Sequence, residues 1–185
     1  MRAPLLAGTA DIAASLPRLR FGVAADAVMV ACDVALAVLF LQLLRHVQPT
    51  LALLAAGLRL VQAATIAAAL LFQLAAIGAA GTDPAQALRF LEVQSLGYDL
   101  GLIFFGLNTG LMALLLAWSG YVPRWLCALL GAAGAVYLLG SFSRLLAPDL
   151  NAALQPAYAV PLLAEIALCL WLLIRGLRLP GPQPG

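Results

Sequence analysis

Apolar residues run through this chain in blocks of about 20, the length that crosses the hydrocarbon core of a bilayer as an α-helix, with most polar positions in short gaps between the blocks. The first block, VAADAVMVACDVALAVLFLQLL at Val23–Leu44, ends at Arg45, His46 and Pro49, a helix stop and turn. The second lies within Leu51–Ile77 and exceeds what a bilayer requires, so it tilts or extends past the core. Residues 78–95 read as the longest internal loop; within it Thr82-Asp83-Pro84 supplies an N-cap with proline at a helix start, ahead of one or two interfacial turns in AQALRFLEV. The third block, Leu96–Trp118, is followed by a tight link, SGYVPRW, in which Tyr121 and Trp125 join Trp118 as interface aromatics. The fourth and fifth blocks are Leu126–Leu146 and Tyr158–Ile174, separated by a turn at Pro148, Asp149 and Asn151. Short links make consecutive helices antiparallel neighbours.

The pattern therefore predicts an all-α fold, a polytopic transmembrane helical bundle of about five spans. Residues 1–20, with Pro4, Pro17 and three arginines, read as an extramembrane lead-in or short interfacial helix rather than a signal peptide, because Asp11 interrupts the apolar run. A transmembrane helical domain then covers residues 21–176, and PGPQPG belongs to a disordered tail over 177–185. Arginines fall almost evenly on the two sets of loops, and the pair Arg175 and Arg178 tips the positive-inside balance towards a cytoplasmic C-terminus.

Composition sharpens this in one direction. The chain is 64% hydrophobic and 10% charged with a mean hydropathy of +1.03, against about 25% charged in a soluble domain. Its ten basic residues are all arginine and scattered, giving a net charge of +2 and no clustered stripe for nucleic acid. Cys32, Cys127 and Cys169 lie far apart inside apolar blocks and read as small buried hydrophobes, and His46 is the only histidine. With so few ligands no metal or other cofactor is expected. The expected partners are the lipid bilayer and, through small-residue helix faces, another copy of the chain or another membrane protein.

Candidate chemistry is confined to polar residues inside the blocks, which are costly in hydrocarbon and tend to face a bundle interior. Asp26 and Asp33 are seven apart and share a helix face. Arg59, Gln62 and Gln73 form a stripe on the second span, Asp99 and Asn108 lie on the third, Tyr137 and Arg144 on the fourth, and Tyr158 and Glu165 on the fifth. These residues predict a buried polar network of Asp26, Asp33, Arg59, Gln62, Asp99, Asn108, Arg144 and Glu165. Asp33 and Glu165 lie deepest and should face the interior, with Arg59 the basic partner for one of them and Gln62 one turn away. Gly97/Gly101 and Gly106/Gly110 are small-xxx-small pairs that let helices approach closely, and Gly131, Gly134 and Gly140 give the fourth span a similar surface, so the third and fourth spans are expected to pair. No catalytic motif is present; Asp33 and Asp99 are the candidates for an intramembrane aspartyl dyad.

Several stretches together resemble the DUF4386 family, multi-helix bacterial membrane proteins of unknown function: LRFGVAADAVMVACDVALAVLFLQLLR at 19–45, LALLAAGLRLVQAATIAAALL at 51–71, GYDLGLIFFGLNTGLMALLLAWSGYVPRWLCALL at 97–130, YLLGSFSRLLAP at 137–148 and LLAEIALCLWLLIRG at 162–176. The resemblance covers about residues 18–176. It implies a bundle of about six helices in the bacterial inner membrane and carries no catalytic residue; Asp26, Asp33, Arg59, Gln62, Gly101, Gly106, Pro123 and Glu165 match its recurring polar and small positions. Family members usually have one more hydrophobic helix ahead of the segment matching Arg20–Asp26. Without a chemical motif, the residues favour a structural or accessory protein acting through helix packing. The alternative is a small proton- or cation-coupled transporter using in-membrane acids, and an intramembrane enzyme has only the in-span carboxylates behind it. A polar cavity reaching Asp33 and Glu165 would speak for transport or enzymology, and a dry bundle with paired charges for packing.

Overall fold

In a computed structural model that describes residues 9–176, the chain is an all-α membrane bundle of six helices: α1 Thr9–Leu44, α2 Pro49–Ala79, α3 Pro84–Ser119, α4 Arg124–Leu146, the short α5 Pro148–Leu154 and α6 Ala159–Arg175, with a 3₁₀ turn at Gln155–Tyr158 before α6. Five segments are long and apolar enough to span a membrane, Ser15–Leu44, Pro49–Ala79, Pro84–Ser119, Arg124–Leu146 and Asp149–Arg175. The expected tail over 177–185 and the first eight residues lie outside the described residues.

Two helices are longer than expected, for local reasons. The Asp83 side chain accepts the Gln86 backbone N–H at 3.0 Å and Pro84 takes the first helical position, so α3 starts there. No proline or turn cluster follows until Gly120, whose φ of 70° closes the helix in the left-handed conformation. The expected loop over 78–95 thus shrinks to a turn, and α3 runs 36 residues. The helix α1 likewise begins at Thr9 and carries Pro17 within it, so much of the expected lead-in is helical and continuous with the first span. At 1.5 Å per residue each is about 54 Å long, well beyond a hydrocarbon core of ~30 Å. Their extra turns meet at one end, where Leu16, Ala76, Ala80, Ala87 and Phe90 form a small cluster.

The spans pack in chain order, α1 on α2, α2 on α3, α3 on α4 and α4 on α6; α1 also touches α3, while the backbones of α1 and α6 stay apart. The result is a crescent. Leucines such as Leu39, Leu53, Leu71, Leu163 and Leu173 point outwards, as expected where lipid is the solvent. The main core fills the end holding the α1–α2 and α3–α4 links, around Leu44, Ala55, Leu115, Leu116, Leu126 and Ala164. The Tyr121 hydroxyl and His46 Nε2, 3.1 Å apart, tie those two links together.

Glycine sets the closeness of the central helices. A Cβ on Gly97 would lie 3.0 Å from the Ala69 Cβ, and one on Gly101 2.7 Å from the Ile66 side chain, so this pair seats α3 on α2. On the opposite side, a Cβ on Gly106 would lie 3.0 Å from the Gly134 carbonyl oxygen, and one on Gly134 2.8 Å from the Gly106 carbonyl oxygen and 3.0 Å from the Gly110 nitrogen. Here α3 and α4 touch backbone to backbone. Gly110 contributes through its backbone; a Cβ on it would meet nothing within 4 Å.

Candidate functional site

The seven-residue spacings bring the polar residues together in two places rather than one. In the first, Asp33 on α1 is 7% exposed. Its Oδ1 accepts from Arg59 Nε at 3.1 Å and lies 3.0 Å from Arg59 Nη2, and its Oδ2 accepts from Gln62 Nε2 at 3.0 Å. Arg59 and Gln62 are three apart on α2 and so share a face. The Arg59 guanidinium also lies 5.3 Å above the Phe105 ring centre, a cation–π contact from α3. Gln62 Oε1 is buried and accepts nothing from the described residues. Behind Arg59, a void of about 10 Å³ is lined by Asn108, Arg59 and apolar side chains, which is the size of one water.

In the second place Arg144 on α4 forms an ion pair with Asp99 on α3 and donates to Ser95 one turn earlier. Asn151 on α5 closes this cluster by donating to the Gly140 carbonyl at 2.8 Å and the Ser143 hydroxyl at 3.2 Å. Tyr158 packs on Gly140, where a Cβ would collide with its ring. Asp33 and Asp99 thus belong to different clusters, each with its own arginine, and do not form a like-charge dyad.

Asp26 and Glu165 fall outside the expected buried network. Asp26 is half-buried and makes no hydrogen bond or ion pair with the described residues. Glu165 is exposed rather than facing the bundle interior. The cause is the one-sided packing of α6: it buries Pro161 and Ala164, which leaves the next residue, about 100° round the helix, at the edge of the contact. The Tyr137 hydroxyl donates to Glu165 Oε1 at 2.5 Å. Tyr137 is itself held edge-on by Phe105, with ring centres 5.1 Å apart.

The gap between α1 and α6 turns these residues into a site. An open groove of about 510 Å³ is lined by all five spans, with Asp33, Arg59 and Gln62 on one side and Tyr137 and Glu165 on the other. Cys32 on α1 and Cys169 on α6 also line it and are exposed, so two of the three cysteines are not the buried hydrophobes expected; Cys127 alone is buried. A second open cavity of about 570 Å³ lies over the Asp99–Arg144 pair, between α3, α4 and α5, with Asn151, Gln155 and Tyr158 in its wall. Tyr98 and Leu102 line both. Tyr98 is within electrostatic reach of Asp26, Asp33 and Glu165, and its hydroxyl points at the Met29 sulfur, 3.8 Å away. The reading of 78–95 as a loop hid Ser95, which the cap at Asp83 carries onto α3; Tyr98 lay within the expected third span but was not singled out there. Among the described residues, no group of three or more His, Cys, Asp or Glu is placed to hold a metal ion.

Similarity to known proteins assigns no activity. Over 86 residues the chain is 34% identical to an uncharacterised protein of Archaeoglobus fulgidus; the match takes in 44% of this chain and 47% of the relative, so the chain covers about half the length of the curated relative it matches. No solved structure matches. The model of the DUF4386 family, described as a domain of unknown function, matches residues 3–176, ahead of the stretch that carried the sequence resemblance and through the end of α6, and the chain belongs to that family.

Proposed function

We propose that this protein is a small proton- or cation-coupled carrier whose working group is Glu165. The observation that carries this reading is the groove between α1 and α6, whose walls hold an acid with no basic partner among the described residues opposite an ion pair. Asp33 and Arg59 neutralise one another, and Asp99 and Arg144 do the same. Of the two acids that line the groove, Asp33 is paired, and Glu165 has the Tyr137 hydroxyl and no basic partner among the described residues, so it is the groove carboxylate free to exchange a proton or a cation. The shared wall at Tyr98 and Leu102 supports entry from the end holding the α2–α3 and α4–α6 links, because the opposite end is filled by the main core.

A packing role has less behind it than the sequence suggested, since Gly97, Gly101, Gly106 and Gly134 are used up inside the chain. The test is flux in proteoliposomes that contain a pH-sensitive dye, under an imposed proton or monovalent-cation gradient. Wild type is expected to dissipate the gradient faster than protein-free vesicles, and Glu165→Gln to return it to the protein-free rate with an unchanged melting temperature. Identical rates for wild type, Glu165→Gln and empty vesicles would overturn the reading.

A further inference from the structure

We infer that the groove binds an amphipathic organic cation, a molecule with an apolar body and a single positive charge, and that Glu165 is its counter-ion; the inference deepens the carrier reading above and rests on the same groove. Three observations converge on this chemistry. The first is charge. Among the ionisable side chains lining the groove, Asp33 and Arg59 cancel, which leaves Glu165 as one net negative charge. A lone ionised carboxylate in hydrocarbon is costly, and a ligand cation relieves that cost whereas a ligand anion compounds it. The second is the surround of that charge. Leu36, Leu102, Leu168 and Leu172 supply apolar wall, and Tyr98 and Tyr137 add aromatic faces near the acid, which favour an organic cation over a hydrated metal ion. The third is size and access. A volume of about 510 Å³ is in the range that encloses a drug-sized molecule. The separation of the α1 and α6 backbones leaves the groove open along the side of the bundle, where an amphipathic molecule dissolved in the bilayer would arrive.

The Tyr137 hydroxyl fixes the carboxylate in the groove and acts as a positioning residue.

The chain carries its own reporters. Cys32 and Cys169 line the groove on facing walls, one next to Asp33 and the other a helical turn beyond Glu165, while Cys127 is buried among α4 core residues. The experiment uses full-length protein in mild detergent with tetraphenylphosphonium as the cation and tetraphenylborate, its near-isosteric anion, as the control. Binding is read calorimetrically, and occupancy is read as the rate of modification of each cysteine by a small thiol reagent. Tetraphenylphosphonium is expected to bind and to slow modification of Cys32 and Cys169 at least fivefold, with tetraphenylborate giving no protection and Cys127 unreactive in both. Glu165→Gln should weaken phosphonium binding at least tenfold and Tyr137→Phe less, both with melting temperatures near wild type. Leu36→Trp, which adds bulk to the α1 wall of the groove, should also weaken phosphonium binding and abolish protection of Cys169, and guards against misfolding of the Glu165 variant. Equal protection by the two ions, no protection by either, or phosphonium binding unchanged in Glu165→Gln would each overturn the inference. Proton flux that survives while phosphonium fails to bind would sink the organic cation and leave the carrier; phosphonium binding without any flux would sink the carrier and leave the ligand.

Discussion

Asp33 carries Arg59 on one carboxylate oxygen and Gln62 on the other, and this arrangement was largely legible from spacing. An aspartate midway along one span and an arginine eight or nine residues into its antiparallel neighbour reach similar depth, and arginine cannot shed its proton to escape. Glu165 was misjudged from the same kind of reasoning, because depth along a helix says nothing about which side the neighbours occupy. Removing one member of the Asp33–Arg59 pair leaves a charge in a low-dielectric site, a loss of about 3–5 kcal/mol for a buried pair. Asp33→Asn and Arg59→Gln should each lower the melting temperature in mild detergent, and the double variant should lose less than the sum. Strict additivity in that cycle would mean the two side chains do not interact. Gln62→Leu should cost less than either, since it discards the unpartnered Oε1 together with one hydrogen bond to Asp33.

Helices α3 and α4 show how much an element's role depends on which neighbour meets it. The glycine spacing announced a packing surface on α3, and both pairs do pack, but on opposite sides, Gly97/Gly101 against α2 and Gly106/Gly110 against α4. Periodicity explains the division: Gly97 and Gly106 are nine residues apart, about 900° at 100° per residue, half a turn from the same face. The backbone contact at Gly134 gives a sharp contrast. Gly134→Ala has to push the α3 backbone away and should destabilise by about 1–3 kcal/mol. Gly131→Ala, whose new methyl would sit 3.9 Å from the Ala113 Cβ, should be neutral or slightly stabilising. Equal melting temperatures for the two alanine variants would show that the close α3–α4 approach is absent. The boundary of α3 was misread because AQALRFLEVQS mixes apolar and polar residues and read as interfacial turns within a loop, although its cap at Asp83 and lack of breakers make it one continuous helix.

For the whole molecule, five spans place the links at 45–48 and 120–123 on one side of the membrane and the link at 80–83 and the start of the last span, from 147 onward, on the other. Reporter fusions at 47 and 121 should therefore agree with each other and disagree with those at 82 and 152; matching signals from 121 and 152 would remove α4 as a span. This layout was present in the chain's hydropathy, since about 20 apolar residues in a row have few alternatives to crossing a bilayer as a helix. The number of spans, their approximate ends, their antiparallel order and the polar residues they carry are local properties, set by runs of side chains and by caps such as Asp83. Tertiary structure alone decided that the polar residues divide into two clusters, that α6 leans on α4 by one face, and that α1 and α6 stay apart. Lipid is as apolar as the helix surfaces, so hydropathy does not tell a residue facing a neighbouring helix from one facing the bilayer. That choice is made by the close fit of Gly106 to Gly134 and of Ala164 to the core, and it leaves Glu165, Cys32 and Cys169 around a groove instead of inside a closed bundle.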